Sequence, residues 1–313
     1  MQTAKLIADR TGIERAADLL AAGECVAIPT ETVYGLAADA RNGRAVAGIY
    51  AAKGRPAFNP LIVHVADLAA AERIAAFPPA ARALANAFWP GPLTLVLPLR
   101  ADAGIASLVT AGLSTIGIRV PAHPIAQTLL RRFNGPLAAP SANASGRISP
   151  TSAAHVLDPE GGLDGQIAAV LDGGASPVGV ESTIIGWRDG HATLLRPGGL
   201  AVEEAARVLG APLDRAQTIA APDAPGQLPS HYAPRQPLRM DVTSPAPGET
   251  HIAFGPGALT LSPTADLVEA ASRLFDVLRQ ADRLGRPISV APIPEQGLGL
   301  AINDRLRRAA EPR

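Results

Sequence analysis

The chain is 313 residues long, a length that favours two domains over one. Its 28 Lys and Arg balance 28 Asp and Glu, which excludes a global electrostatic pull on nucleic acid or anionic membrane. Hydrophobic residues at 47% exclude a disordered chain, and the single cysteine, Cys25, excludes an internal disulfide.

In chain order, residues 12–22 place Ile13, Ala16, Ala17, Leu20 and Ala21 on one side of a helix that Gly23 ends. Residues 25–28 read as a buried strand stopped by Pro29, and the polar Thr30-Glu31-Thr32 follows. An amphipathic segment over 44–53 carries Val46, Ile49 and Tyr50 on one face. It closes in Lys53-Gly54-Arg55-Pro56, where helix cannot continue. Asn59-Pro60 leads into a strand at 61–63, closed by His64. Helices are predicted over 69–76 and 79–88, strands over 93–97 and 115–120, then a Pro124-initiated helix to 132. Strands at 137–139, 170–174, 182–187 and 192–195 and a helix over 202–209 complete the first part. Strands and helices mix without strict alternation, which predicts a mixed sheet.

From about 210 to 237 the composition turns to Pro, Ala, Gln and Ser and no apolar period survives, as in an inter-domain linker. Beyond it, strands at 251–255 and 288–290 and helices over 265–284 and 301–310 make a small βαβα unit. The expected division is a domain over 1–210, a linker over 211–237 and a second domain over 238–313. No apolar run reaches membrane-spanning length and the stretch MQTAKLIADR has no signal-type apolar region, so a cytoplasmic protein is expected.

Neither a Gly-x-x-x-x-Gly-Lys-Ser/Thr loop nor a Gly-x-Gly-x-x-Gly turn after a strand is present. The histidines never fall at metal-ligand spacing and there is no cysteine pair, so no protein-ligated metal is expected. Lys53-x-Arg55, taken alone, reads more readily as a solvated cationic helix end than as a binding motif. The loop from Pro140 to Gly146, taken alone, is a turn. Its Ser141 and Asn143 nevertheless present polar groups on one side, among small residues that let a phosphate reach the backbone amides. Arg119, with no acid near it in sequence, is either a surface cation lying along its strand or a planar fork for a free carboxylate.

The order of the pieces is more specific than any one of them. PTETVYGLAADA, KGRP with NPLIVHV, FWPGPLTLVLP, TIGIRVPAHP, APSANASG, GVESTIIG and LLRPGG span about 23–199. They resemble the successive blocks of the YrdC-like threonylcarbamoyl-AMP synthases, and SHYAP at 230–234 resembles the linker block of the long members. The resemblance implies an α/β fold. A YrdC-like N-terminal domain with a twisted mixed sheet flanked by helices would precede a small Rossmann-like α/β C-terminal domain, here shorter than the family's. It implies a nucleotidyltransferase that makes L-threonylcarbamoyladenylate from L-threonine, bicarbonate and ATP, with Mg2+ accompanying the nucleotide, for tRNA threonylcarbamoyladenosine modification. Matched residue by residue, it gives threonine to Thr32, His64, Arg119, Ala139 and Ser182. It gives ATP to Arg55, Asn59, Thr115, Ser141, Ser149, Arg196 and Tyr232, and rests catalysis on Lys53, Arg55, Ser141 and Asn143.

Further expectations follow from the same source. The linker closes over the site through Tyr232, downstream tRNA-modification machinery consumes the adenylate, and any tRNA or double-stranded RNA contact is weak. Lys53 and Arg55 are expected to be exposed cations whose removal leaves the fold intact. The competing reading is a double-stranded RNA-binding module without catalysis, built on a basic surface around Lys53 and Arg55. Zero net charge and the lack of interleaved Arg and aromatic residues stand against it. Carbamoyl transfer as in hydrogenase-maturation proteins is a third possibility, but their zinc-finger cysteines are absent.

Overall fold

The computed structural model describes residues 2–56, 58–215 and 230–311. The chain opens with β1 (Ala4–Ile7) and α1 (Arg10–Ala21), whose first turn is capped by Asp9 accepting from Gly12 N at 2.8 Å. β2 (Val26–Ile28) turns back into β3 (Gly35–Asp39), and the Asn42 side chain caps α2 (Gly43–Lys53). β4 (Ile62–His64), α3 (Leu68–Ile74), α4 (Pro79–Phe88), β5 (Leu93–Pro98) and the single turn α5 (Ser107–Thr110) come next. β6 (Thr115–Arg119), α6 (Pro124–Phe133), β7 (Leu137–Ala138), the short α7 (Ala153–Val156) and β8 (Ala169–Asp172) follow. β9 (Thr183–Arg188), β10 (His191–Arg196), α8 (Val202–Leu209) and β11 (Asp214–Arg215) end the first part. The second holds β12 (Leu238–Arg239), β13 (Thr250–Ile252), α9 (Leu267–Arg283), β14 (Ile288–Val290) and α10 (Gly299–Ala310).

The first part is one mixed sheet in the order β1-β8-β2-β3-β7-β4-β6-β5-β9-β10-β11. Parallel pairs such as β4 with β6 alternate with antiparallel ones such as β5 with β6. Helices flank it: Ile13, Leu20, Leu129 and Leu130 pack on Val26, Ile28 and Leu171, while Val46, Ile49, Leu84 and Ala85 join another cluster with Leu36, Val63, Leu95 and Ile118. The second part is a parallel sheet, β12-β14-β13, with α9 and α10. The two-residue β12 is too short to show alternation, so the sequence yields only βαβα there.

The parts share a core. Val33, Ile148 and Val180 of the first are buried with Leu274 and Phe275 of the second and with Tyr232 of the connecting segment. Gly179 makes this approach possible: a Cβ there would stand 2.4 Å from Ala271 O of α9, and its φ is +77°. Arg279 of α9 also donates to Ile148 O at 2.5 Å, and Arg283 to Asp158 at 3.0 Å. No helix among the described residues is long and apolar enough to cross a membrane.

Candidate active site

One face of the sheet supplies the first half of the site. His64 closes β4 as its last residue, and in register it lies beside Arg119 of β6. Arg119 is buried: Nε donates to Gly91 O at 3.2 Å and Nη1 to Thr32 Oγ1 at 2.8 Å. Its Nη2 lies 2.6 Å from Glu31 Oε1, a close ion pair outside hydrogen-bonding alignment. The acid that sequence proximity does not provide therefore comes from 88 residues away along the chain, from the loop after β2. That loop is wound by Thr30, whose Oγ1 donates to Val33 O at 2.6 Å and meets Thr32 Oγ1 at 2.9 Å. Burial, with the charge of Arg119, pushes the His64 imidazole down to about 3, so it is neutral at ordinary pH. Its Nδ1 is buried without a hydrogen-bond partner among the described residues.

The other half begins at the end of α2. Gly54, with φ +58°, turns the chain as the Gly requirement predicts. Lys53 is not an exposed cation. It is 4% exposed, and Nζ donates to Ser141 O and Asn143 O, each at 2.5 Å. Burial, reinforced by the charge of Arg55, sets its pKa well below the usual lysine value. Lys53 is thus a clamp that holds the Ser141–Asn143 loop from beneath. Asn143 Nδ2 closes the same loop by donating to Ala144 O at 2.7 Å and Arg147 O at 3.0 Å. Arg55 does reach the cleft, steadied by bonds to Pro60 O at 2.9 Å and Asn59 O at 3.3 Å. With Lys53 buried and Arg55 turned inward, the basic ridge required by an RNA-binding module is not formed there.

These pieces line one cleft. Thr32, His64, Arg119, Ala139 and Ser182 line it, as do Arg55, Ser141, Arg196 and Tyr232. Asn59, Asn143 and Ser149 are buried behind that lining. Thr115 stands apart: it opens β6 opposite Pro98, four residues from Arg119, or roughly 13 Å along an extended strand. Ser182 Oγ meets Thr94 Oγ1 at 2.7 Å, and Arg196 Nη2 donates to Ser182 O at 2.9 Å.

The family model described as Telomere recombination, of the Sua5, YciO and YrdC proteins, matches residues 18–198. The model of the threonylcarbamoyl-AMP synthase C-terminal domain matches residues 200–311. The chain belongs to the threonylcarbamoyl-AMP synthase family. The Bacillus subtilis threonylcarbamoyl-AMP synthase is 43% identical over 95% of this chain and 92% of its own length. That of Pyrococcus abyssi is 41% identical over 95% of this chain and 94% of its own. The crystal structure of P. abyssi Sua5 complexed with L-threonine superposes with a TM-score of 0.88 at 38% identity. It covers 99% of this chain and 98% of that one.

Sequence reading missed Glu31, Glu181 and His231 as site residues, although each stands inside a block that carried the resemblance. Glu181 lines the cleft, accepts from Ser149 Oγ at 2.5 Å and pairs with Arg305 at 2.9 Å. Burial alone would raise its carboxyl, but Arg305, Arg196 and the Ser149 hydroxyl outweigh it and hold the group below its ordinary value. His231 also lines the cleft, and burial pushes it down to about 3. Only the fold reveals that these three groups are buried.

Two neutral buried histidines have a consequence for stability. Unfolded, each takes a proton near its ordinary value of 6.5; folded, it does so only near 3. Between those values the unfolded chain binds the extra proton, so stability falls as pH drops below about 6.5 and is unaffected above it. At pH 5 the loss is about 2 kcal/mol per histidine. Urea unfolding at pH 7.5 and 5 reads it directly, and His64→Gln is expected to flatten the dependence. An unchanged slope in that variant would exclude His64 as a source.

Proposed function

We propose that the cleft joins L-threonine, bicarbonate and ATP into L-threonylcarbamoyladenylate, releasing pyrophosphate and water. The observation that carries the reading is one cleft holding Arg119 beside a neutral His64 together with Arg55 and Arg196. The first pair suits an amino acid and the second suits phosphates. The threonine amine adds to the bicarbonate carbon with loss of water, giving a carbamate. A carbamate oxygen then attacks the α-phosphorus in line as pyrophosphate leaves. Such a step needs positioning and charge neutralisation rather than a protein nucleophile.

Arg119 takes the threonine carboxylate, its fork fixed by Thr32 and Glu31. His64 Nδ1 accepts from the threonine hydroxyl, and Ala139 and Ser182 complete the wall. Arg55 and Arg196 neutralise the phosphates, with Asn59 and Thr115 the further nucleotide residues. Ser141, Asn143 and Ser149 orient them, on a loop that Lys53 anchors. ATP enters with Mg2+ on its phosphates. Among the described residues no group of three or more His, Cys, Asp or Glu side chains is placed to hold a metal ion. The nearby carboxylates Glu31 and Glu181 are engaged by Arg119 and Arg305, so the ion enters as part of the nucleotide substrate.

The first domain, 1–210, carries this chemistry and the linker, 211–237, acts as its lid, with 238–313 as the second domain. Residues 216–229 lie outside the described residues. In the described part, His231 and Tyr232 line the cleft, and Tyr232 stacks on Phe275 with ring centroids 5.6 Å apart. A cover suits the reaction, because both carbamate and adenylate are lost to water. The product passes to cytoplasmic tRNA-modification machinery.

The test is incubation with threonine, bicarbonate and Mg-ATP, followed by mass detection of the adenylate. Serine and valine in place of threonine give the finer result. Valine leaves His64 Nδ1 unpaired, at about 1–3 kcal/mol, whereas serine loses only a methyl group. Serine is expected to be the better of two poor substrates. Equal use of valine would contradict the placement of His64, and no adenylate from threonine would end the reading.

A further inference from the structure

Among the described residues, Glu181 is the only acid that lines the cleft, and a carboxylate there opposes the phosphates it is proposed to bind. The fold fixes its backbone tightly. Gly199 N donates to Glu181 O at 2.9 Å, and a Cβ on Gly198 would lie 2.3 Å from that same oxygen. The direction of the carboxylate is set by two side chains. Ser149 Oγ donates to Oε1, and Arg305 Nε donates to Oε2 at 2.9 Å.

Arg305 belongs to α10, in the second domain, yet it is wholly buried against the first. Its Nη1 donates to Pro197 O at 2.5 Å and to Asp304 Oδ2 at 3.0 Å, and the guanidinium carbon lies 5.4 Å from the Tyr232 ring centroid. Pro197 directly follows Arg196, so one guanidinium touches the acid of the cleft, the strand end that carries its phosphate-binding arginine, and the covering tyrosine. A planar fork with fixed donors suits this task in a way a lysine does not.

We propose that Arg305 is a positioning residue for nucleotide binding: it holds the Glu181 carboxylate away from the phosphates and neutralises it from the second domain. The inference rests on the nucleotide assignment made above. Released from Arg305, a buried Glu181 would compete with the incoming phosphates for Arg196 and Arg55 and repel them. The threonine end, organised by Arg119 and His64, does not depend on this contact.

Calorimetric titration of the full chain with Mg-ATP and, separately, with threonine reads the inference whether or not adenylate forms, so its failure is distinct from failure of the proposed reaction. Arg305→Ala is expected to weaken ATP binding by about tenfold or more and threonine binding by about twofold at most. The double variant Arg305→Ala with Glu181→Gln removes the stranded charge and is expected to recover most of the ATP affinity. Recovery is the readout that a merely structural arginine would not give. Equal losses for both ligands, or a double variant no better than the single one, would overturn the proposal. Where Arg305→Ala fails to fold by circular dichroism, Arg305→Lys with and without Glu181→Gln decides. A selective ATP loss that Glu181→Gln reverses supports the proposal, and unchanged ATP affinity in Arg305→Lys overturns it.

Discussion

Arg55→Ala is expected to abolish adenylate formation in a chain that melts nearly as the native one does, whereas Lys53→Ala loses activity and stability together. Arg55 lines the cleft, and its bonds to Asn59 O and Pro60 O are local, within five residues. Removing it takes a cation from a transferring phosphoryl group, at a cost on the order of a hundredfold in rate. Lys53 is buried and bridges two carbonyls of a loop about 90 residues away in sequence. Its truncation leaves Ser141 O and Asn143 O without that donor and opens a gap beneath the loop. The expected stability loss is about 2–4 kcal/mol. Thermal melts beside mass detection of the adenylate separate the two variants. Near-normal turnover in Arg55→Ala, or an unchanged melt in Lys53→Ala, would contradict these roles.

That contrast shows what the amino-acid sequence discloses and what it withholds. Local chemistry is legible. Gly54 and Gly210 both end helices in the left-handed region, with φ of +58° and +69°, where punctuation by glycine predicts. The amphipathic period of α9, expected over 265–284, is found as Leu267–Arg283. β3 was not legible, because Gly-Leu-Ala-Ala-Asp is small-residue and nearly all buried, and shows no alternation to read. In the site, residue identities were legible from the ordered blocks, but partners were not. Glu31 with Arg119, Glu181 with Arg305 and Lys53 with the Ser141 loop all join residues at least 88 apart along the chain. No local pattern encodes such pairs, so a buried clamp and an exposed cation look alike in sequence.

Of these pairs, Glu181 with Arg305 crosses between the two domains and argues against their independence. A chain ending after Gly210 retains both clusters of side chains that flank the large sheet, so it is expected to fold. It also uncovers Val33, Ile148 and Val180, which are buried against the second domain, at about 1.5–3 kcal/mol for each side chain fully exposed. Asp158 loses Arg279 and Arg283, Glu181 loses Arg305, and the cleft loses Tyr232. Val33 follows directly on Thr32, which steadies Arg119, so the loosened surface reaches the threonine end as well. The truncated chain is therefore expected to melt well below the full chain and to make adenylate more slowly by on the order of a hundredfold. Losses to water should add to that deficit. Thermal melting with single-turnover measurement of the adenylate tests both parts. A fragment that melts like the full chain and works at full rate would confine the chemistry to residues 1–210, and Arg305 and Tyr232 would then have no part in it.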